Sequence, residues 1–398
     1  VALRILEVAD GMSLSPGLLT RDRGRRSREL QWLRAVAALS VVVYHAGVYL
    51  ERFTGDSRFA AVFDGRLGFL GVAIFFALSG YLMAEILPRT DAATFLVHRL
   101  VRIYPIFLII FGALYFARRK WLDFDVLALS LVPIGEGRIY YLGVEWTLLF
   151  EITFYVLLYG LALLGLRHRL PLVAGGWLLV SAGGTWAFPA AQTILTPTID
   201  LMPIMAVNAA FAGGLLIPSL RARGVFNPVV AAVAVIVTFG FGMGGFGVDR
   251  WVAAFAAVVL VGLCVSRSKG EATGQAAGLR ILDRYGDWSY ALYLCHVPLI
   301  IGLLIGRPPL PTPLLWVAAI VVPLLIAIPF GIIDVWLYRR LRRVIDGLNP
   351  SVLRSIAALY AMFFIAIATW AATAGPSTTL GPDMRPSATP AGNAMPGR

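Results

Sequence analysis

The stretch LQWLRAVAALSVVVYHAGVY, residues 30–49, is apolar enough to span a bilayer, yet it contains Arg34 and His45. About 20 residues of helix match a hydrocarbon core roughly 30 Å thick. The two residues lie eleven positions apart. At about 100° and 1.5 Å per residue they share one face and stand about 16 Å apart along the axis. Ionisable groups inside a span are costly and mark a pathway or a site. A lone arginine can snorkel to the interface, and a lone histidine can be satisfied by hydrogen bonds. Two such groups on one face point to a site.

The rest of the chain has the same character. Of its 398 residues 59% are hydrophobic and 14% charged, and the mean hydropathy is +0.79. That is outside the range of soluble domains. The apolar runs are continuous, whereas a transmembrane barrel shows short alternating segments. The fold class is therefore an all-α polytopic membrane protein, a bundle of about ten to eleven transmembrane helices. The net charge of +12 does not indicate nucleic acid, because the arginines sit at span ends as positive-inside topology requires. Cys264 and Cys295 both fall in predicted spans, which argues against a disulfide framework. His45, His98, His168 and His296 are too dispersed for metal-ligand spacing, so no metal is expected.

Taken in order, residues 1–29 form a basic cytoplasmic extension ending in RDRGRRSRE, with no signal-peptide core. A transmembrane helical domain is expected over 30–340, an additional transmembrane helix over 341–373, and a disordered Pro/Gly/Ser/Thr-rich tail over 374–398. Spans are predicted at about 31–50, 65–87, up to Phe116, 145–165, 171–188, 199–217, 228–246, 250–266, 287–306, 314–337 and 352–373. The segment 88–105 precedes the third span, and Pro105 is expected to bend or restart that helix. Asp200 and Asn208 fall in the sixth predicted span. The apolar piece Val126–Ile134 is too short to cross and reads as re-entrant or superficial. Arg118–Lys120 is the one exception to the positive-inside pattern.

Several side chains stand out against this background. Arg99 and Arg102 are three apart and share a face. Glu151 lies in an apolar helix with Tyr155 one turn on. Ser79–Gly80 are small residues that permit close helix approach. Ser289, Tyr293 and His296 form one polar stripe at 4–3 spacing. A buried His with a Glu serves equally as a proton relay or a general base. Clustered arginines suit a polyanionic ligand, since the guanidinium fork binds phosphate bidentately. No P-loop, GxGxxG or HExxH accompanies them.

Five segments in order, LRAVAALSVVVYHA (33–46), FFALSGYLM (75–83), HRLVRIYP (98–105), EWTLLFEITFY (145–155) and WSYALYLCHVPL (288–299), make the chain resemble the membrane-bound acyltransferase 3 family. That family O-acylates bacterial surface polysaccharides, lipopolysaccharide, nodulation factors and some macrolides. The resemblance covers about Leu30 to Arg340. It implies an acyl-CoA donor, acetyl-CoA in the first instance, used as a substrate and not held as a permanent cofactor. It implies a carbohydrate hydroxyl as acceptor and residence in the bacterial inner membrane with the N-terminus cytoplasmic. Residue by residue, it places Arg34, Arg99 and Arg102 on the donor and His45 at the centre of catalysis with Glu151 as the acidic partner. Ser289, Tyr290 and His296 match a further element. With Ser79, Tyr155 and Tyr293 they are expected to line the acceptor path or support the site. The family core has ten spans, so the eleventh is a departure. A transporter or flippase for a lipid-linked sugar is the competing reading, because polar stripes also line transport paths. The absence of an inverted repeat counts against it.

The alternation of spans places the basic clusters at 21–28, 167–169, 221–223, 267–284 and 339–343 on one side of the membrane. Cysteine labelling in sealed cells should find position 168 protected and position 385 accessible. A protected 385 would remove the eleventh span.

Overall fold

The computed structural model describes residues 28–118, 125–138, 140–240, 245–267, 277–306 and 308–374. The basic extension up to residue 27, part of the Arg118–Lys120 exception and the tail from 375 lie outside the described residues. Eleven helices of seven or more residues make up the fold: α1 (Arg28–Thr54), α2 (Gly65–Ile86), α3 (Ala92–Arg118), α4 (Glu145–Leu163), α5 (Leu170–Ala187), α6 (Asn208–Ala222), α7 (Pro228–Gly240), α8 (Phe246–Arg267), α9 (Ala277–Ile305), α10 (Thr312–Asp346) and α11 (Pro350–Ala374). Nine of them are long and apolar enough to cross a membrane; α6 and α7 are shorter. No strand occurs among the described residues, only an isolated bridge between Ile134 and Thr198.

Local chemistry sets the helix ends. Asp64 caps α2 by accepting the Arg66 backbone N–H at 3.0 Å. α1 carries Glu29 in its first turn and Arg52 in its last, which complements its dipole. Just past the end of α4 the chain reverses at Gly165, whose φ of 75° favours glycine.

Three expectations are corrected. α3 does not restart at Pro105 but runs through it. Ile103, Ile106 and Phe107 are fully buried on either side, and this packing outweighs the missing N–H. The sixth helix begins at Asn208, not 199, so Asp200 lies in the preceding loop. Pro197 and Pro203 disfavour helix in the residues before them. The Asn208 side chain then donates to the Met202 and Pro203 carbonyls at 2.6 and 3.3 Å and closes the loop. Third, Phe246, the predicted last residue of the seventh span, instead opens α8; α7 is described from Pro228 to Gly240, and residues 241–244 lie outside the described residues. The apolar piece after α3 folds mostly into the protein, although Val126 stays 65% exposed. It forms a short helix, Val126–Leu129, capped by Asp125, and then buries Leu131, Val132 and Ile134. Irregular backbone at membrane depth is tolerated when protein covers it in this way.

The centre of the bundle is α1, packed chiefly on α9 and α2, while α2 packs on α6 and α8, and α3 on α10, α11 and α4. Side-chain contacts between α1 and α9 advance together, from Trp32–Asp283 to His45–His296, so the two helices are parallel. An odd number of crossings between them is therefore required, which agrees with the first and ninth places in the predicted series. Close approach is achieved with glycine. A Cβ on Gly80 would meet the Phe211 carbonyl oxygen at 2.1 Å, and one on Gly214 would meet that of Ala77 at 2.3 Å. Ser79–Gly80 thus serves packing at Gly80, as small residues do between membrane helices.

Gly80→Ala should lower the thermal midpoint of the detergent-solubilised protein, at an overpacking cost of about 1–3 kcal/mol. Gly175→Ala, where a Cβ meets nothing within 4 Å, should leave the midpoint unchanged or raise it. Equal midpoints for parent and Gly80→Ala would contradict the α2–α6 contact.

Candidate active site

The polar stripe of α9 is buried, and each member reaches a different partner. Ser289 and His296 are both 0% exposed. The Arg34 Nε donates to Ser289 Oγ at 3.3 Å, and Ser289 donates in turn to the Gly286 carbonyl at 2.9 Å. His296 Nε2 stands 3.1 Å from His45 Nδ1. Thr147 donates to the Val144 carbonyl at 3.0 Å, so the Tyr293 hydroxyl donates to Thr147 Oγ1 at 2.9 Å. Trp32 Nε1 donates to Asp283 at 2.7 Å near the start of both helices. Gly286 brings the two backbones together there, because a Cβ at this position would meet the Gln31 carbonyl oxygen at 2.3 Å.

Beside this seam lies a cavity of about 130 Å³ enclosed by α1, α2, α3, α4 and α9. Its polar wall carries Arg34, Arg99, Arg102, Glu151, Tyr155 and Ser79, with Tyr290 and Tyr293 from α9. Its apolar wall is built mainly from α2, including Val72, Phe75, Phe76, Leu82 and Met83. The helical 3-spacing of Arg99 and Arg102 puts both guanidinium groups on the cavity side of α3.

The charged groups differ in how they are held. One nitrogen of Arg102, Nη1, donates to both carboxylate oxygens of Asp334 on α10, at 2.7 and 2.8 Å. The Arg102 guanidinium also lies over the rings of Tyr290 and Tyr338, 5.2 and 5.3 Å from their centroids. Tyr290 is anchored through its hydroxyl to the Ile103 carbonyl at 3.3 Å. Arg99, by contrast, presents a buried Nε with no hydrogen-bond partner. Such a donor is expensive to leave unpaired, and the residue that carries it lines the cavity. Glu151 accepts a short hydrogen bond from Tyr155, and Ser79 Oγ is 3.3 Å from the same Tyr155 hydroxyl. The charges of Arg102, Arg99 and Arg34 all act on Glu151.

Eight of the eleven candidate residues read from the sequence therefore line one cavity, and Ser289 touches it through Arg34. His45 and His296 do not line it. They connect to it through Tyr293, whose carbonyl accepts from His296 Nδ1 at 2.7 Å. The expectation that Glu151 stands beside the His45 imidazole is replaced: Glu151 bonds Tyr155, and the side chain on His45 is His296. Sequence reasoning missed Asp334, although a single acid within the apolar run GIIDVWLY (331–338) is the signal that flagged Glu151. Glu145 was also missed. Its buried carboxylate accepts the backbone N–H groups of Leu142 and Val144 at 2.7 and 3.0 Å and so holds the turn into α4. Among the described residues no group of three or more potential metal ligands occurs.

The helical bundle thus gathers three arginines on one cavity and joins an imidazole pair to its wall. The sequence pattern of the acyltransferase 3 family, described as an acyltransferase domain, matches residues 27–332. This chain belongs to that family and is an integral membrane acyltransferase. The exopolysaccharide production protein ExoZ of Rhizobium meliloti (strain 1021) is 31% identical over 254 residues, 58% of this chain and 76% of that protein. Acyltransferase MdmB of Streptomyces mycarofaciens is 25% identical over 313 residues, 69% of this chain and 79% of that protein. No solved structure matches the chain.

Removing one partner from a buried ion pair leaves the other uncompensated, at a cost of about 3–5 kcal/mol. Asp334→Ala should therefore lower the thermal midpoint strongly. The double variant Arg102→Met/Asp334→Leu should recover most of that loss. Independent, additive effects of the two changes would contradict the Arg102–Asp334 pair.

Proposed function

We propose that this protein transfers an acyl group, acetyl in the first instance, from acyl-CoA to a carbohydrate hydroxyl, with His45 as general base. The observation that carries the reading is the cavity itself. It gathers three arginines at the polar end of an apolar slot, one side chain away from the His45–His296 pair. A space of about 130 Å³ is close to the ~150 Å³ that accommodates a benzene ring. That suits a short acyl thioester and is far too small for the whole of CoA. The nucleotide and its phosphates then remain at the arginine end, where Arg99 offers its unpaired Nε and Arg34 and Arg102 add positive charge. Phosphate recognition by a guanidinium fork is the strongest polar contact these residues offer.

The chemistry follows from the two ends. A sugar hydroxyl is a weak nucleophile at neutral pH and needs a base near its proton, for which imidazole is the suited side chain. His45 takes the hydroxyl proton as the oxygen attacks the thioester carbonyl, and the departing thiolate takes a proton back. Glu151, bonded to Tyr155 and surrounded by arginine charge, keeps those arginines on the cavity wall in the absence of donor. A glycan as acceptor is supported by the likeness to ExoZ, whose name ties it to exopolysaccharide production.

Arg34→Ala, Arg99→Ala and Arg102→Ala should each weaken acetyl-CoA binding by about 1–3 kcal/mol in calorimetry, with Lys replacements milder. His45→Ala should bind donor like the parent yet show no transfer of radiolabelled acetyl to a glycoside, since a base acts on the transition state. Parental affinity in all three arginine variants would move the donor elsewhere. Parental turnover in His45→Ala would return His45 to a structural role.

A further inference from the structure

The contact between the two imidazoles determines where their protons lie. His296 Nδ1 is 2.7 Å from the Tyr293 carbonyl oxygen. A carbonyl only accepts, so His296 Nδ1 carries a hydrogen, and neutral His296 keeps its lone pair on Nε2. That Nε2 lies 3.1 Å from His45 Nδ1, and the same Nδ1 lies 3.0 Å from the Val41 carbonyl oxygen. Two acceptors therefore face one nitrogen, and His45 Nδ1 must also carry a hydrogen. His45 Nε2 is then the one ring nitrogen of the pair whose lone pair is not directed at a protein donor or committed within the pair.

We infer that His45 and His296 act as a single unit, in which His296 is a positioning residue that, with the Val41 carbonyl, holds the Nδ1–H tautomer of His45 and shares the positive charge His45 gains on taking the acceptor hydroxyl's proton. This inference rests on the reading of His45 as general base. When the acceptor oxygen forms its bond to the thioester carbonyl carbon, the O–H bond breaks and its hydrogen passes to His45 Nε2. The resulting imidazolium bears hydrogens on both nitrogens. Its Nδ1–H lies between the Val41 carbonyl oxygen and the His296 Nε2 lone pair, so the positive charge is shared across hydrogen bonds already in place. As the C–S bond breaks, the hydrogen on His45 Nε2 returns to the thiolate and the pair regains its starting form. No oxidant or metal enters the balance. A second imidazole here does the work that a carboxylate does behind a catalytic histidine in acyl-transfer triads.

The surroundings fit this role. The rings next to His45 are those of Tyr44, Tyr49 and His296, with centroids at 4.8, 6.0 and 5.0 Å, and Tyr293 stands 5.7 Å from His296. Glu151 is turned to Tyr155 instead. His296 is 0% exposed, so no water competes for its Nε2. Its Nδ1 bond to the carbonyl three residues back fixes the ring on its own helix, and the parallel packing of α9 on α1 aims it at His45.

The test uses the purified full chain in nanodiscs, with His296→Ala, His296→Gln and His45→Ala beside the parent. Nitrogen NMR on protein labelled at histidine should show His45 protonated at Nδ1 and bare at Nε2 in the parent. His296→Ala should lose about 100-fold in kcat, within the ~10²–10⁴ range of acid–base assistance, with the acetyl-CoA KM unchanged. Glutamine at 296 can accept from His45 Nδ1 but cannot share the positive charge, so His296→Gln should regain about tenfold of that loss. A parental spectrum with His45 protonated at Nε2 would overturn the inference, and this readout stands even if His296→Ala fails to fold. So would parental kcat in His296→Gln, which would show that accepting a hydrogen bond suffices. Parental turnover in His45→Ala would instead overturn the general-base reading itself, whatever the His296 variants do.

Discussion

The structure depends on the seam between α1 and α9. Three side-chain contacts run along it in register: Trp32 to Asp283, Arg34 to Ser289, and His45 to His296. In an apolar bundle, polar contacts of this kind cannot be satisfied by lipid, so each must find a protein partner. Gly286 lets the backbones approach closely enough for the short serine hydroxyl to receive the arginine. A slip of one helix by a single residue would turn the stripe away from its partners and leave each of them unpaired. The same contacts that set helix register therefore set the geometry of the site. The two imidazoles are placed by a helix pair and not by a loop, and sites built on helices are the more precise ones.

The second constraint is the treatment of buried charge. Arg102 is neutralised by Asp334 and covered by two tyrosine rings, so it persists in the cavity wall without a ligand. Arg99 keeps an unpaired Nε at the same wall. One arginine is thus held as a fixed point of positive charge, and the other retains hydrogen-bonding capacity for an incoming anion. Glu151 and Tyr155 complete this balance from α4, with Ser79 on α2 as the outer link.

Much of this could be read from the residues. The spacing of Arg34 and His45 placed both on one face, and the 4–3 spacing on α9 gave a stripe that the fold buries whole. Those periodicities are local, so they survive folding unchanged. The order of the five motifs led to a family assignment that the comparison with known proteins bears out over residues 27–332. What the sequence did not show were the pairings. Nothing in it says that Glu151 turns to Tyr155, or that His45 meets another histidine 251 positions away. Asp334 escaped because its partner, Arg102, lies 232 positions earlier and the helix carrying it reads as plain apolar span. The sixth helix was misplaced because hydropathy continues through Met202–Val207 while Pro197 and Pro203 and the Asn208 side chain impose a loop there. Hydropathy reports burial; it does not report which backbone conformation is buried.

In the proposed reaction an acyl donor binds at the arginine wall of the cavity, and its acyl group is delivered to a hydroxyl activated by His45. The most direct measurement uses sealed proteoliposomes in which orientation is fixed by labelling position 168. Radiolabelled acetyl-CoA, which does not cross the bilayer, is supplied on one side at a time, with a glycoside acceptor on both. The account predicts labelled glycoside only when the donor is on the side of position 168. Labelled glycoside formed only from donor on the opposite side would contradict it, and so would donor consumption with no label on any hydroxyl.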